Sequence, residues 1–232
     1  MTTASSKTDL FLFDIDGTLI SSGGAGEHAL KLAIADLFGV ENGLEGIEIA
    51  GRTDRFIARN VCQRFCVEPT PERLRELFER YFAHLAAELP RRNGRLLPGV
   101  AALLDALRSR PHVALTLLTG NLQEGARLKL THYGVWDYFD FGAYADDSED
   151  RNGLGPVAVE RALQTYGVPF EPRRVVILGD TPHDIACGQV IGARTVAIAT
   201  GPYSTDALAQ HQPDHLYDDL SDIEAILADL GV

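Results

Sequence analysis

The sequence predicts an α/β fold, a parallel sheet flanked by helices with a small α-helical unit inserted after the first strand. Three observations predict it. Apolar runs recur that are continuous rather than alternating, the pattern of strands buried on both faces of a parallel sheet. Stretches with helical spacing lie between them, and strands alternating with helices imply an open, Rossmann-like arrangement. Between the first two runs, from about Ser21 to Leu97, the chain is too long for one crossover helix and must hold structure of its own.

The first run, Leu10-Phe11-Leu12-Phe13, stops at Asp14. In the insert, Glu27–Phe38, Arg55–Phe65 and Pro71–Leu89 read as helices, with breaks at Gly39–Gly51 and Val67–Pro69. A core of residues 1–20 and 95–232 is therefore expected, with a helical cap domain of residues 21–94. The expected hinges are Ser21-Ser22-Gly23-Gly24-Ala25-Gly26 and Arg92-Asn93-Gly94. Beyond the insert, Val100–Leu107 carries apolar residues at helical spacing behind Pro98-Gly99, and Val113–Leu118 is the next strand. A helix over Leu122–Tyr133 takes Asn121 as its N-cap, Phe141–Tyr144 is a weaker strand, and Pro156–Tyr166 is a helix ended by Gly167. Val175–Leu178 and Thr195–Ala199 complete the sheet, with no internal repeat or low-complexity segment.

The chain has 232 residues, 45% of them hydrophobic and 23% charged, which excludes global disorder and a fibrous repeat. A formal net charge of −12 opposes spontaneous binding to nucleic acid or anionic lipid. Cys62, Cys66 and Cys187 are an odd number in a chain that needs no staples, so reduced thiols are expected. Cys62 and Cys66 share an expected helix, and no His or Cys pair elsewhere completes a zinc set, so they read as core residues. The start, Met1–Thr8, has no apolar signal segment, and no stretch approaches the ~18 apolar residues of a membrane span. A cytoplasmic protein is expected, with no nucleic-acid or membrane partner.

Ligands of open parallel sheets bind beyond the carboxyl ends of the strands. Here those ends read Asp14-Ile15-Asp16-Gly17-Thr18, then Thr119-Gly120-Asn121, then Gly179-Asp180-Thr181-Pro182-His183-Asp184. Carboxylates gathered at one edge repel one another unless a hard cation joins them, and Mg²⁺ suits an oxygen-only site. Two carboxylates around one apolar residue at a strand end serve no packing purpose, which favours chemistry for Asp14 and Asp16. Thr119 and Asp184, taken singly, read equally well as helix caps.

The segment Asp14-Ile15-Asp16-Gly17-Thr18-Leu19 resembles the first motif of the haloacid dehalogenase superfamily of phosphatases and phosphotransferases, and the other strand-end motifs follow in that family's order. The resemblance covers almost the whole chain, because an insert after the first motif is where this family carries a helical cap of its first (C1) type. Phosphoglycolate phosphatases and β-phosphoglucomutase are members of this kind. The resemblance implies Mg²⁺ as cofactor and, as substrate, a small phosphorylated metabolite, phosphoglycolate-like or a sugar phosphate. It implies that Asp14 is the nucleophile and forms an aspartyl phosphate. Asp16 would protonate the leaving alcohol and then take a proton from water, its backbone carbonyl helping to hold the metal. Gly17 would allow the turn between them, and Gly17, Thr119, Gly120 and Asn121 would cradle the phosphoryl oxygens. Asp180 would ligate the metal with Asp14 and Asp16, and Asp184, one helical turn on, would stand near the metal or orient its shell.

The family places a Lys or Arg before the fourth motif, commonly a Lys followed by Pro, and this chain has no such pair. Alignment on Pro156 puts Gly153 at that place. Arg151, the nearest cation, is expected to neutralise the phosphoryl and Asp14 charges and to grip phosphate oxygens. Lys129 is the alternative, although within an amphipathic helix it reads as a solvated-face lysine. In the insert, Gly51-Arg52-Thr53-Asp54-Arg55 would present polar groups to the substrate, with Arg52 and Arg55 as contacts and Thr53 as a contact or an N-cap. His183 reads as a solvated histidine near the mouth. Asp16 disfavours a dehalogenase, which has no leaving alcohol to protonate. Lys31, the insert's one lysine, reads as a helix-face residue rather than the Schiff-base lysine of a phosphonatase. A Mg²⁺-dependent phosphatase is the leading reading. A sugar-phosphate mutase using the same residues is the alternative, and a non-catalytic phospho-ligand-binding regulatory protein is the third.

Overall fold

The computed structural model describes residues 7–232, so the first six residues of the polar start lie outside the described residues. In chain order the core opens with β1 (Asp9–Phe13) and β2 (Ile20–Ser21), and the insert supplies α1 (Ala25–Phe38), α2 (Asp54–Arg64) and α3 (Pro71–Glu88). There follow β3 (Arg95–Leu96), α4 (Val100–Arg108), β4 (Val113–Leu118), α5 (Gln123–His132), β5 (Gly142–Ala143) and α6 (Leu154–Tyr166). The chain ends with β6 (Val175–Gly179), α7 (Pro182–Val190), β7 (Arg194–Ile198), α8 (Thr205–Ala209), β8 (His215–Tyr217) and α9 (Ile223–Leu230).

Six strands form one sheet in the order β5-β4-β1-β6-β7-β8, and every pairing in it is parallel. Strand β1 lies at its centre, with Leu10 opposite both Ala114 and Val175. Because side chains alternate along a strand, Phe11 and Phe13 enter one apolar cluster with Leu103 and Leu104 of α4 and Leu130 of α5. Leu10 and Leu12 enter the other, with Leu154 and Ala158 of α6. Both faces need covering, which is why the strands read as continuous apolar runs. Helices α1, α2 and α3 close around a cluster of their own, built on Ile34, Val61, Leu77 and Leu85. The chain enters and leaves the insert through an antiparallel ribbon, Ile20 opposite Leu96, extended by Leu97 N–H donating to Leu19 O at 3.0 Å.

Several boundaries differ from the sequence reading. Helix α1 starts at Ala25, inside the expected hinge, directly after Gly24 in the left-handed region. Helix α6 starts at Leu154, since Pro156 in the first turn lacks only an N–H that has no partner there. Asn121 is not the cap of α5, which begins at Gln123 behind Leu122; its side chain is engaged elsewhere. Helix α2 buries Cys62, but Cys66 lies past its end, exposed and with φ 54°, so it is not a core residue. The helical turn expected at Asp184 opens α7, while the ribbon, α8, β8 and α9 lie outside the sequence pattern. Among the described residues, no helix is long and apolar enough to cross a membrane.

Candidate active site

Strands β1, β4 and β6 are neighbours, so the residues just beyond their carboxyl ends share one cavity of about 270 Å³. Asp14, Asp16 and Asp180 line it from the core, and Leu30, Ile57 and Tyr81 from the insert. Asp14 is buried at the exit of β1, where its N–H still donates to Leu178 O at 3.0 Å. One of its carboxylate oxygens pairs with Arg151 Nη2 at 3.0 Å. Arg151 comes from a short 3₁₀ turn, Arg151–Gly153, that leads into α6. The same nitrogen bonds Asp184, while Nη1 donates to Gly51 O at 3.4 Å. Asp184, in the first turn of α7, accepts from Thr181 N–H at 3.1 Å and from its hydroxyl at 2.6 Å, closing a capping box. Asp180 is buried and accepts from the Thr18 hydroxyl at 3.1 Å.

Asp14, Asp180 and Asp184 bring carboxylate oxygens within 4.8 Å of one another. Burial pushes the Asp14 carboxyl up to about 6, with Arg151 pulling against it and Asp184 and Asp16 adding to it. Burial, then the charges of Asp14 and Asp184, hold Asp180 well above the usual carboxylate range. Burial disfavours the Arg151 charge, but Asp14 and Asp184 outweigh it and keep the guanidinium protonated. An oxygen-only donor set, short of positive charge, fits a hard divalent cation. Gly17 makes the close packing possible: at φ +82°, a Cβ there would lie 2.2 Å from Asp180 Oδ2.

Asp16 turns its side chain away from that cluster. Its Oδ2 accepts from Lys129 Nζ at 2.5 Å and from Asn121 Nδ2 at 2.9 Å. Lys129 is therefore not a solvated-face lysine. It is 3% exposed, and its ammonium also donates to Asn121 Oδ1 at 2.6 Å. Helical spacing reports that a face is distinct, not whether that face meets water or a polar cavity, and a lysine stem packs among apolar groups while its head finds partners. Thr119 is fully buried, and its hydroxyl accepts from Asn121 N–H at 3.2 Å and Nδ2 at 2.9 Å; Gly120 and Asn121 are the residues of this turn that line the cavity. The amides of Ile15, Asp16 and Gly120 have no backbone acceptor among the described residues.

The insert reaches this edge through residues 48–54. Thr53 is the N-cap of α2, accepting from Phe56 N–H at 3.1 Å and donating to Glu149 O at 2.6 Å, so its hydroxyl is occupied. Arg52 lines the cavity but is paired with Glu48 at 2.6 Å and lies 4.7 Å over the Phe56 ring. Arg55 is not in this cavity; it lines a second hollow of about 520 Å³ with Arg59, Arg75 and Phe78, because one residue of helix rotates it to the other side of α2. His183 is not simply solvated, since its Nε2 lies 3.2 Å from Glu48 Oε1. The reading of single residues passed over Asp54. Its N–H donates to Gly120 O at 2.7 Å, and its carboxylate accepts from Leu122 N–H at 2.8 Å. Desolvation pushes Asp54 up to about 6 against the pull of Lys129. Its place directly after an N-cap, in a stretch already singled out, was the available signal.

The family model described as "Hydrolase: haloacid dehalogenase-like hydrolase" matches residues 8–192. Pyrophosphatase PpaX of Bacillus pumilus is 25% identical over 230 residues, covering 96% of this chain and 97% of that one. Phosphoglycolate phosphatase of Salmonella typhimurium is 26% identical over 232 residues, covering 91% and 89%. Among solved structures, CbbY from Rhodobacter sphaeroides in complex with phosphate is similar in fold, with a TM-score of 0.72 at 21% identity over 97% of this chain and all (100%) of that one. A family match across most of the chain and a strand-end cluster of carboxylates on a parallel sheet agree: the chain is an enzyme that belongs to the haloacid dehalogenase-like hydrolases.

Proposed function

We propose that this enzyme is a Mg²⁺-dependent phosphatase that hydrolyses a small phosphorylated metabolite through an aspartyl phosphate on Asp14. The observation that carries the reading is the buried Asp14 carboxylate, held by Arg151 at 3.0 Å and backed by Asp180 and Asp184. In this reading Asp14 attacks phosphorus, and Arg151 balances the charge of the carboxylate and the phosphoryl group. The free amides of Ile15, Asp16 and Gly120 are donors for phosphoryl oxygens beside Asp14. Thr119 fixes the turn that carries Gly120 and Asn121. Asp16, on its unpaired Oδ1 side, protonates the leaving oxygen and then takes a proton from the attacking water. Asp14, Asp180 and the Asp16 backbone carbonyl, with Asp184 adjoining, are the groups that would hold Mg²⁺. When bound, the ion supplies charge stabilisation to the phosphoryl oxygens.

Residues 1–20 and 95–232 are taken as the catalytic core and 21–94 as a cap that excludes water. The 270 Å³ cavity suits a leaving group of a few heavy atoms, phosphoglycolate-like or a sugar, and the names of the Salmonella and Bacillus relatives supply phosphoglycolate and pyrophosphate as first compounds to try. A cytoplasmic setting is supported by the free thiols of Cys62, Cys66 and Cys187. The test is phosphate release from a panel of phosphorylated metabolites and 4-nitrophenyl phosphate, with Mg²⁺ or EDTA. The expected result is release that needs the metal and vanishes in Asp14→Asn, with the variant folded by circular dichroism. Undiminished release in Asp14→Asn would sink the mechanism, and transfer between sugar positions without net release would select the mutase.

A further inference from the structure

Lys129 is a core lysine with an insert built over it. Its ammonium has three donors, and two are assigned, to Asp16 Oδ2 at 2.5 Å and Asn121 Oδ1 at 2.6 Å. Asn121 turns its amide nitrogen to the same Asp16 oxygen at 2.9 Å, so Oδ2 is gripped twice and Oδ1 is left to the cavity. The remaining surroundings of the ammonium come from three places in the insert. A Cβ on Gly26 of α1 would lie 3.3 Å from Lys129 Nζ, so no larger residue fits there without moving it. The Tyr81 hydroxyl of α3 lies 3.7 Å from that same point. Asp54 of α2, bound through its own N–H to Gly120 O and through its carboxylate to Leu122 N–H, lines the same cavity as Lys129 and adds a second carboxylate to it. Withdrawing the insert would remove Gly26, Tyr81 and Asp54 together and open the ammonium to water.

We propose that Lys129 is a positioning residue for Asp16, and that Asp54 holds Lys129 in that role only while the insert is docked, so that the acid–base carboxylate is aimed only over a covered site. The inference rests on the phosphatase reading, in which Asp16 handles the proton of the leaving oxygen. It differs from that reading in what it predicts. A residue that acts through Asp16 matters when the leaving group needs a proton, as an alkoxide does, and matters far less for 4-nitrophenolate, which departs unprotonated. A residue that merely props the fold would slow both alike.

The experiment compares kcat/KM, which reads the chemistry through departure of the leaving group and not the later hydrolysis of the aspartyl phosphate that Asp16 also serves, for 4-nitrophenyl phosphate and for the alkyl phosphate turned over fastest by the wild type, at saturating Mg²⁺. Lys129→Met is expected to lose about 100-fold on the alkyl phosphate and under about 10-fold on the aryl phosphate. Asp54→Asn, which keeps an acceptor for Leu122 N–H, is expected to move the ratio the same way by about 10-fold, and Lys129→Arg to recover part of it. In an Asp16→Asn background, Lys129→Met is expected to add no further alkyl-phosphate loss. Equal losses on the two substrates, or full additivity with Asp16→Asn, would overturn the inference and leave the phosphatase reading standing. If Lys129→Met does not fold, the ratio measured for Asp54→Asn decides alone. A wild type that releases phosphate from neither compound overturns both.

Discussion

Arg151 touches Asp14 and Asp184 with one nitrogen, so the charge balance of three buried carboxylates depends on a single side chain. Arg151→Met is expected to cost about 3–5 kcal/mol at pH 7.5 without metal, read from the urea midpoint, because it strands buried charge. Burial raises the Asp14 carboxyl to about 6, so at pH 5 it is mostly protonated and there is less charge to strand. The cost should therefore shrink on acidification, and an equal cost at both pH values would contradict the charge account. Arg151 was legible in the sequence because the family pattern asks for a cation near that place and few positions compete. Lys129 was not, because a lysine facing a polar cavity and one facing water share the same helical spacing.

Helix α2 begins with two residues that also fasten the insert to the core, Thr53 to Glu149 and Asp54 to Gly120 and Leu122. Asp54 has its carboxyl raised to about 6, so the folded protein holds that proton more tightly than the unfolded chain does. Such a group costs nothing below the unfolded value of 3.8 and progressively lowers stability as pH rises through about 6. Asp54→Asn removes that cost. Relative to wild type, its unfolding free energy is expected to be unchanged at pH 4 and higher by about 2 kcal/mol at pH 7.5, allowing for water in the cavity. A difference that does not grow with pH would remove the burial explanation. At this scale the sequence was clearest where a strand is buried on both faces, as in Val113–Leu118, which agrees end to end with β4. It was silent on β8, a half-buried run of three residues too short to show a period. For α9 the local signals are an Asp222 cap and Gly231 in the left-handed region, at the two ends of an eight-residue helix.

Across the molecule, the raised carboxyls of Asp14 and Asp180 would link the binding of the proposed cation to protonation, since a cation binds them only when ionised. Mg²⁺ is therefore expected to raise the thermal midpoint more at pH 7.5 than at pH 5, on either side of the Asp14 value of about 6. Differential scanning fluorimetry with and without Mg²⁺ reads this, and Asp180→Asn should abolish the shift. The sheet and the strand-end acids were legible because a parallel topology forces both a sequence pattern and a site location. How the insert packs over Lys129 was not, because it depends on contacts between residues as far apart as Gly26, Asp54 and Tyr81, which no local pattern records. The ribbon between Ile20–Ser21 and Arg95–Leu96 carries a different kind of consequence. A length of chain whose two ends are stitched side by side can be excised there and another of equally close ends spliced in, without re-threading a strand of the sheet. Recombination, or a designer, can thus exchange the helices that stand over the strand ends while leaving the order of the sheet intact.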